Sequence, residues 1–241
     1  RMRLTLVKKE EVAKGVTSFT WRTDSPFAWK PGQYLYYTVT LPEKDPRGNV
    51  RHFTISASPT EGEIRLTTKL SDSLYKKTLF ELPVGAQING SGPRGDFVLE
   101  SEEASPQVFL AGGIGITPFR SFIKFAIDKN FKTPLHLLYS NSTPDEITFK
   151  AELDEWASAH PNIQVSYTIT KPGESSAPWN GLTGRISSDM IEQALGTRGW
   201  ALDDTAFWLC GPSAFTEAME AELAKLKIDL SKIETEQFTG Y

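Results

Sequence analysis

Near residue 100 the chain changes its periodicity, and few folds accommodate both halves. Before Glu100, short runs alternate apolar and polar residues: "RLTLVKKEEV", "VTSFTWRT", "QYLYYTVTL", "VRHFTISAS", "EIRLTTKL" and "AQINGSGP". They are rich in Val, Ile, Thr, Tyr and Phe. Turn signals at Pro31-Gly32, Pro46-Arg47-Gly48 and Glu61-Gly62 separate them, which predicts strands. Strands this short and close together predict an antiparallel barrel or sandwich. Only "DSLYKKTLFEL" departs, with Leu74, Leu79 and Leu82 near helical spacing.

After Pro106 strands and helices alternate. "PQVFLAG", "PLHLLYS", "NIQVSYTIT" and "TAFWLCG" predict strands, followed in turn by helices at "PFRSFIKFAIDKN", "ITFKAELDEWASAH", "SSDMIEQAL" and "SAFTEAMEAELAKLK". "KIETEQF" is a final strand. This order predicts a doubly wound α/β parallel sheet with helices on both faces. The acidic stretch "ESEEASP" places the boundary, giving domains at 1–102 and 103–241.

Where the first parallel strand meets its helix, the chain gives up side chains: "AGGIGITPFR". Glycine costs backbone entropy, so such a turn suits a close approach to the backbone by a phosphate at a helix N-terminus. Open α/β sheets bind nucleotide pyrophosphates at this place. The spacing is not G-x-G-x-x-G, and a tight turn packing helix on strand would use the same residues.

The remaining sequence mainly excludes. A net charge of -4 gives no support to nucleic-acid binding. The single cysteine, Cys210, permits no internal disulfide and no cysteine-ligated iron–sulfur cluster, and it fits a reducing compartment. His52, His136 and His160 have no metal-ligand spacing, so no metal is expected. No apolar run approaches a membrane span, and "RLTLVKKEEV" follows the first residues without a signal-peptide pattern. A cytoplasmic location is the expectation. The opening Arg1 fits a tag remnant or a fragment of something longer.

Taken in order, "RHFTIS", "GPRGDF", "AGGIGITP" and "LCGP" after a β-rich half resemble the ferredoxin–NADP reductase family, over nearly the whole chain. The resemblance implies a six-stranded FAD-binding β-barrel followed by an NAD(P)-binding α/β domain. It implies that Arg51 pairs with the FAD pyrophosphate and that Phe53 stacks on the isoalloxazine, where the family usually has Tyr. Thr54 would lie near flavin N5, with His52 beside it on the same strand among the cofactor-binding residues. Ser73 and neighbouring amides would hold the FAD phosphates, with Lys69 adding charge. "GPRGDF" would be a structural turn closing the barrel.

In the second domain, Gly112, Gly113, Gly115 and Thr117 would cradle the nicotinamide nucleotide's pyrophosphate. Cys210, Gly211 and Pro212 would shape the nicotinamide pocket. The tail "ETEQFTGY" resembles the plant-type ending, so Phe238 or Tyr241 would cover the flavin, and Glu236 would position protons near N5.

The choice between NADPH and NADH stays open. "YSNSTPDEITF", with Ser140, should line the adenosine ribose, and Asp145 and Glu146 there would favour NADH. Lys171 and Arg185 match basic positions of NADPH-dependent relatives and tip the balance slightly to NADPH. The implied activity is hydride transfer from nicotinamide to flavin, then electron transfer to a protein acceptor: a ferredoxin, a flavodoxin or an oxygenase component. Alternatives are the reductase module of a larger protein, a reductase of free flavins or small acceptors, or a flavin-binding electron-transfer subunit without turnover.

Overall fold

The computed structural model describes residues 2–238. In the first half β1 (Met2–Ala13), β2 (Val16–Thr23), β3 (Tyr34–Thr38), β4 (Val50–Thr54), β5 (Ile64–Lys69) and β6 (Gln87–Arg94) form an antiparallel sheet in the order β4-β3-β6-β1-β2-β5. The chain beyond β4 closes this sheet through the Ile55–Leu66 bridge and a Ser56 N–H donated to the Arg65 carbonyl at 2.8 Å. Alternation sends Leu4, Leu6, Phe19, Trp21, Leu35, Tyr37 and Phe53 into one buried core. The helix α1 (Leu74–Glu81) plugs it with Tyr75 and Leu79.

The second half is a parallel sheet of β7 (Gln107–Gly112), β8 (Leu135–Asn141), β9 (Ile163–Ile169), β10 (Leu182–Thr183), β11 (Ala206–Pro212) and β12 (Ile233–Phe238). Its order is β10-β9-β8-β7-β11-β12. Helices α2 (Ile116–Asp128) and α3 (Lys150–Ala159) cover one face; α4 (Ser188–Gly196) and α5 (Ser213–Lys225) cover the other. Strand β7 is buried on both sides: Phe109 and Ala111 face α2, while Val108 and Leu110 face α5. Because the chain runs outward from β7 and then returns to β11, the winding reverses between these two strands. Their carboxyl ends form the topological switch point.

The sequence pattern finds every strand except the two-residue β10, and the helix expected from Ile147 begins at Lys150. Phe149 delays it. Its backbone sits at φ 64 while its buried ring packs beneath Arg120.

The two sheets are joined by direct contacts. Ser121 donates to the Ala57 carbonyl at 3.0 Å, Thr60 to Asp128 at 2.6 Å, and Lys14 N–H to the Asp145 carbonyl at 3.0 Å. Phe97 packs into the second core against Phe119, Phe122 and Trp208. Among the described residues, no helix is long and apolar enough to cross a membrane.

Candidate functional site

The switch point faces β4. Ile114 and Thr117, from the glycine turn and the start of α2, meet Phe53, Thr54, Thr67 and Thr68 of the barrel and Phe238 of β12. The cavity between them measures only about 10 Å³. Six residues from the two halves thus line one small cavity together with the last residue of β12.

On the barrel side, strand alternation separates the RHFT side chains. Phe53 turns inward, its ring 6.2 Å from Tyr75. His52 turns outward, 4.9 Å from the Tyr34 ring. Burial lowers its pKa. Thr54 is buried at the cavity wall.

Arg51 lies over the Tyr75 ring, and its Nη1 donates to the carbonyls of Arg47, Gly48 and Val50 at 2.7–2.9 Å. Its Nη2 is buried without a hydrogen bond, 3.6 Å from Asp45 Oδ2. Ser73 caps α1, its Oγ accepting from Lys76 N–H at 3.2 Å. Lys76 is buried one turn inside. Burial, then the charges of Arg47 and Lys69, push its ammonium down to about 8. A helix N-terminus, a spare guanidinium donor and crowded cations form one electropositive corner, whose donor set fits the pyrophosphate of FAD.

On the sheet side the glycines divide by cause. A Cβ on Gly115 would sit 2.1 Å from the Cys210 carbonyl oxygen, and one on Gly112 would meet the Phe215 ring at 2.5 Å. Those two positions are small so that helix and strand can pack. Gly113 differs: φ is +52 and nothing lies within 4 Å of its Cβ position, so it opens toward the cleft. Tyr139 holds this turn, donating to the Gly113 carbonyl at 2.9 Å while accepting from Thr148 N–H at 3.3 Å. The Ile116 N–H that opens α2 donates to the same carbonyl, so the turn is closed by its own backbone as well. Thr117 Oγ1 donates to the Ile114 carbonyl at 3.2 Å and so braces the turn from within.

Beside Gly113 lies a pocket of about 260 Å³. Ser140, Asn141, Ser142, Glu146 and Thr170 line it at the carboxyl ends of β8 and β9, Pro212 and Phe215 close it, and Val16 and Lys69 reach it from the barrel. The buried Asn141 amide nitrogen has no hydrogen bond there. Glu146 lies five residues beyond the end of the second parallel strand, where a carboxylate can receive ribose hydroxyls. It pairs with Lys69, which together with the Thr143 bonds outweighs its burial and lowers its pKa. Lys69 thus lines this pocket from the barrel side, while its charge also bears on Lys76 at the α1 corner. Lys171 and Arg185 are exposed and outside this lining, and Lys171 pairs with Glu174 at 3.2 Å.

Cys210, two residues before the end of β11, is fully buried, paired in register with Ala111 on one side and Glu236 on the other. Burial and the neighbouring Glu236 push its thiol well up, leaving an uncharged, small wall beside Gly211. Glu236 is itself pushed up to about 7 by burial, and its Oε2 has no hydrogen bond. Its charge also reaches Tyr34 on β3, so it stands between sheet and barrel. Phe238 ends β12 at the cavity; Tyr241 lies outside the described residues.

Asn141, Tyr139, Phe215 and Tyr34 escape the sequence reading. Their only signal is position, on or just after strands that the fold gathers, Phe215 in the first turn of α5.

A larger depression, about 560 Å³, opens at the opposite edge of the parallel sheet around Lys30, Glu100, Gln107 and Trp208. Its polar groups satisfy one another: Lys30 pairs with Glu100 at 2.5 Å, and Trp208 donates to Gln107 at 2.8 Å. Size alone therefore does not mark the site.

Comparison with known proteins matches residues 3–99 to the oxidoreductase FAD-binding domain and residues 109–221 to the oxidoreductase NAD-binding domain. The reductase subunit of glycine betaine monooxygenase from Chromohalobacter salexigens is 31% identical over 228 residues, 92% of this chain and 60% of that protein. The flavohem-like FAD/NAD-binding domain of nitric oxide dioxygenase from Vibrio cholerae superposes with a TM-score of 0.84 at 23% identity, covering 98% of each chain. A ferredoxin–NADP+ reductase from Neisseria gonorrhoeae, solved with FAD and NADP, superposes with a TM-score of 0.78 at 19% identity, covering 98% of this chain and 97% of that one. The chain spans 60% or less of the first curated relatives it matches.

Proposed function

Starting from a chain that belongs to the ferredoxin–NADP reductase-like family of flavin-dependent NAD(P)H oxidoreductases, we propose that it takes hydride from NADH and delivers electrons to a protein acceptor. We divide it into an FAD domain at 1–102 and a nucleotide domain at 103–241. FAD, when bound, supplies a centre that accepts a hydride and releases electrons singly or in pairs.

The chain's own residues bind and orient. Arg51, Ser73 and Lys76 hold the FAD phosphates, and Phe53 and Thr54 form the wall against the ring system. The Gly113 amides and Asn141 hold the nicotinamide nucleotide. Cys210 and Gly211 leave room beside its ring, and Glu236 holds a proton near neutral pH. Phe238 shields the meeting point. The observation that carries this reading is the convergence of Phe53-Thr54 with Ile114 and Thr117 around one small cavity.

The preference for NADH rests on the pocket's charge. Glu146 sits in it and Lys69 is already paired to Glu146, while the exposed cations Lys171 and Arg185 stand outside the lining. A 2′-phosphate would meet a carboxylate without a spare cation. This reverses the slight lean to NADPH that Lys171 and Arg185 give from sequence.

An oxygenase component is the acceptor proposed from the glycine betaine monooxygenase reductase subunit, with a ferredoxin or a flavodoxin as the other proposals. Because the relatives are longer, the same chemistry suits a reductase module within a larger protein.

Anaerobic mixing of the FAD-loaded protein with each nucleotide tests the proposal. NADH should bleach the flavin absorbance at least ~10-fold faster than NADPH at equal low concentration, as like-charge repulsion at the ribose predicts. A flavin that stays oxidised with both nucleotides overturns the reading.

A further inference from the structure

We propose that Arg120 is a positioning residue: it locks the nucleotide-binding turn to the flavin-binding strand, so that hydride transfer depends on a side chain lining neither pocket. The inference rests on the oxidoreductase reading above.

Helix α2 opens at the glycine turn, with Thr117 at the cleft and Arg120 one turn later. The Arg120 side chain is 1% exposed. A guanidinium has five N–H donors, and each of them is used. Nε and Nη2 donate to Glu152 at 3.1 and 2.7 Å. Nη2 and Nη1 donate to Glu61 at 3.0 and 2.7 Å. Nη1 also donates to the Ser56 carbonyl at 2.9 Å. The rings of Phe149 and Trp156 lie 5.3 and 5.4 Å from the guanidinium carbon.

Glu152 belongs to the nucleotide domain. Glu61 and Ser56 belong to the barrel, and Ser56 is two residues beyond Thr54 at the cavity wall. Glu61 cannot drift, because it also accepts from Ser58 N–H at 2.6 Å and pairs with Arg65. Burial would depress the Arg120 charge, but its bonds to both glutamates hold its pKa above the ordinary value. The next residue adds a parallel tie, Ser121 to the Ala57 carbonyl.

Among the described residues, the other ion pairs between the domains, Lys14–Asp145 and Lys69–Glu146, involve exposed lysines and are weak constraints. The Arg120 fork is the rigid one. Lysine cannot replace it, since a point charge cannot serve two carboxylates and a carbonyl in fixed directions.

The test compares Glu61→Gln, Arg120→Lys and Glu152→Gln with the wild-type chain. Limiting flavin reduction at saturating NADH, nucleotide affinity and FAD affinity are measured separately, with hydrogen exchange of residues 54–61 and 116–124 in the FAD-free proteins. Glu61→Gln and Arg120→Lys should slow limiting reduction at least ~10-fold, because small misplacements of reacting partners are expensive. Both dissociation constants should stay within ~3-fold, a split that assigns the loss to the reacting geometry rather than to binding. Exchange in both segments should quicken. Glu152→Gln, which cuts only bonds inside the nucleotide domain, should leave the rate within ~3-fold.

Unchanged reduction in Glu61→Gln overturns the proposal, as does an equal loss in Glu152→Gln. Losses confined to FAD retention assign Arg120 to the scaffold alone and also overturn it. If the wild type is not reduced by either nucleotide, the oxidoreductase reading fails and takes this inference with it.

Discussion

Two polar regions of the molecule, one around Arg120 on α2 and one spread over the ends of β4, β8 and β12, are built oppositely. Around Arg120 each donor of the guanidinium has a partner, and two aromatic rings flank it. Around the cleft, Arg51 Nη2, Asn141 Nδ2 and Glu236 Oε2 are buried without hydrogen bonds. A buried polar group left unpaired costs roughly 1–3 kcal/mol. A chain bears such a cost where a ligand settles it, and avoids it where it needs only a scaffold.

The most severe break of this contrast is Arg120→Met. It strands Glu61 at the domain junction and should cost about 3–5 kcal/mol in urea unfolding of the FAD-free protein, the usual penalty for one lost partner of a buried pair. A loss under about 1 kcal/mol would place the pair among ordinary surface bridges instead.

The glycine turn allows a finer comparison. Gly115→Ala drives a methyl into the Cys210 carbonyl and should destabilise by about 1–3 kcal/mol or more. Gly113→Ala meets no atom and carries only the left-handed backbone cost of about 1–2 kcal/mol. Its larger effect should appear in nucleotide titrations, because the methyl enters the open side of the cradle. Equal behaviour of the two variants would remove the distinction between packing glycine and binding glycine.

Glu236 sharpens the contrast through pH. Its folded pKa, about 7, lies above the unfolded value of 4.5. The folded state therefore binds the proton more tightly, and stability falls as pH rises from about 4.5 to 7, where the unfolded chain has already lost that proton. Glu236→Gln should raise the melting temperature of the FAD-free protein above pH 7 and leave it unchanged below pH 4.5. A uniform shift at all pH values would mean that packing, not ionisation, is at stake.

The smallest expected effect is at the exposed Lys69–Glu146 pair. Glu146→Gln should change stability by less than ~1 kcal/mol. It should nevertheless narrow the preference for NADH over NADPH, measured as the ratio of flavin reduction rates.

Much of this architecture is legible in the sequence because it is local. The six barrel strands announce themselves by alternation, and the parallel sheet by its change of period. "RHFT" forms part of β4 and "AGGIGITP" the turn from β7 into α2, as their local patterns suggest, because a strand and a strand-to-helix turn are short-range objects. What the sequence hides is long-range. Arg120 is indistinguishable from any helical arginine until Glu61, 59 residues away, and Glu152, 32 residues away, fold onto it. Lys69 invites assignment to the nearby α1 corner, where its charge reaches Lys76, and only the fold shows that its ammonium also pairs with Glu146 across the cleft. The glycine turn suggests a single cause from sequence, whereas the structure divides it between packing at Gly112 and Gly115 and an open cradle at Gly113.

At issue is whether Arg51, whose Nη2 is buried without a hydrogen bond and 3.6 Å from Asp45 Oδ2, serves an FAD phosphate while the fully bonded Arg120 serves the frame. The most direct test is calorimetric titration of the FAD-stripped protein with FAD, for the wild type and for Arg51→Met. The account predicts one FAD per wild-type chain and binding weakened at least ~10-fold in Arg51→Met, as expected for a lost charge-assisted contact to phosphate. Equal FAD affinity in the two proteins, or no binding to the wild type, would contradict it.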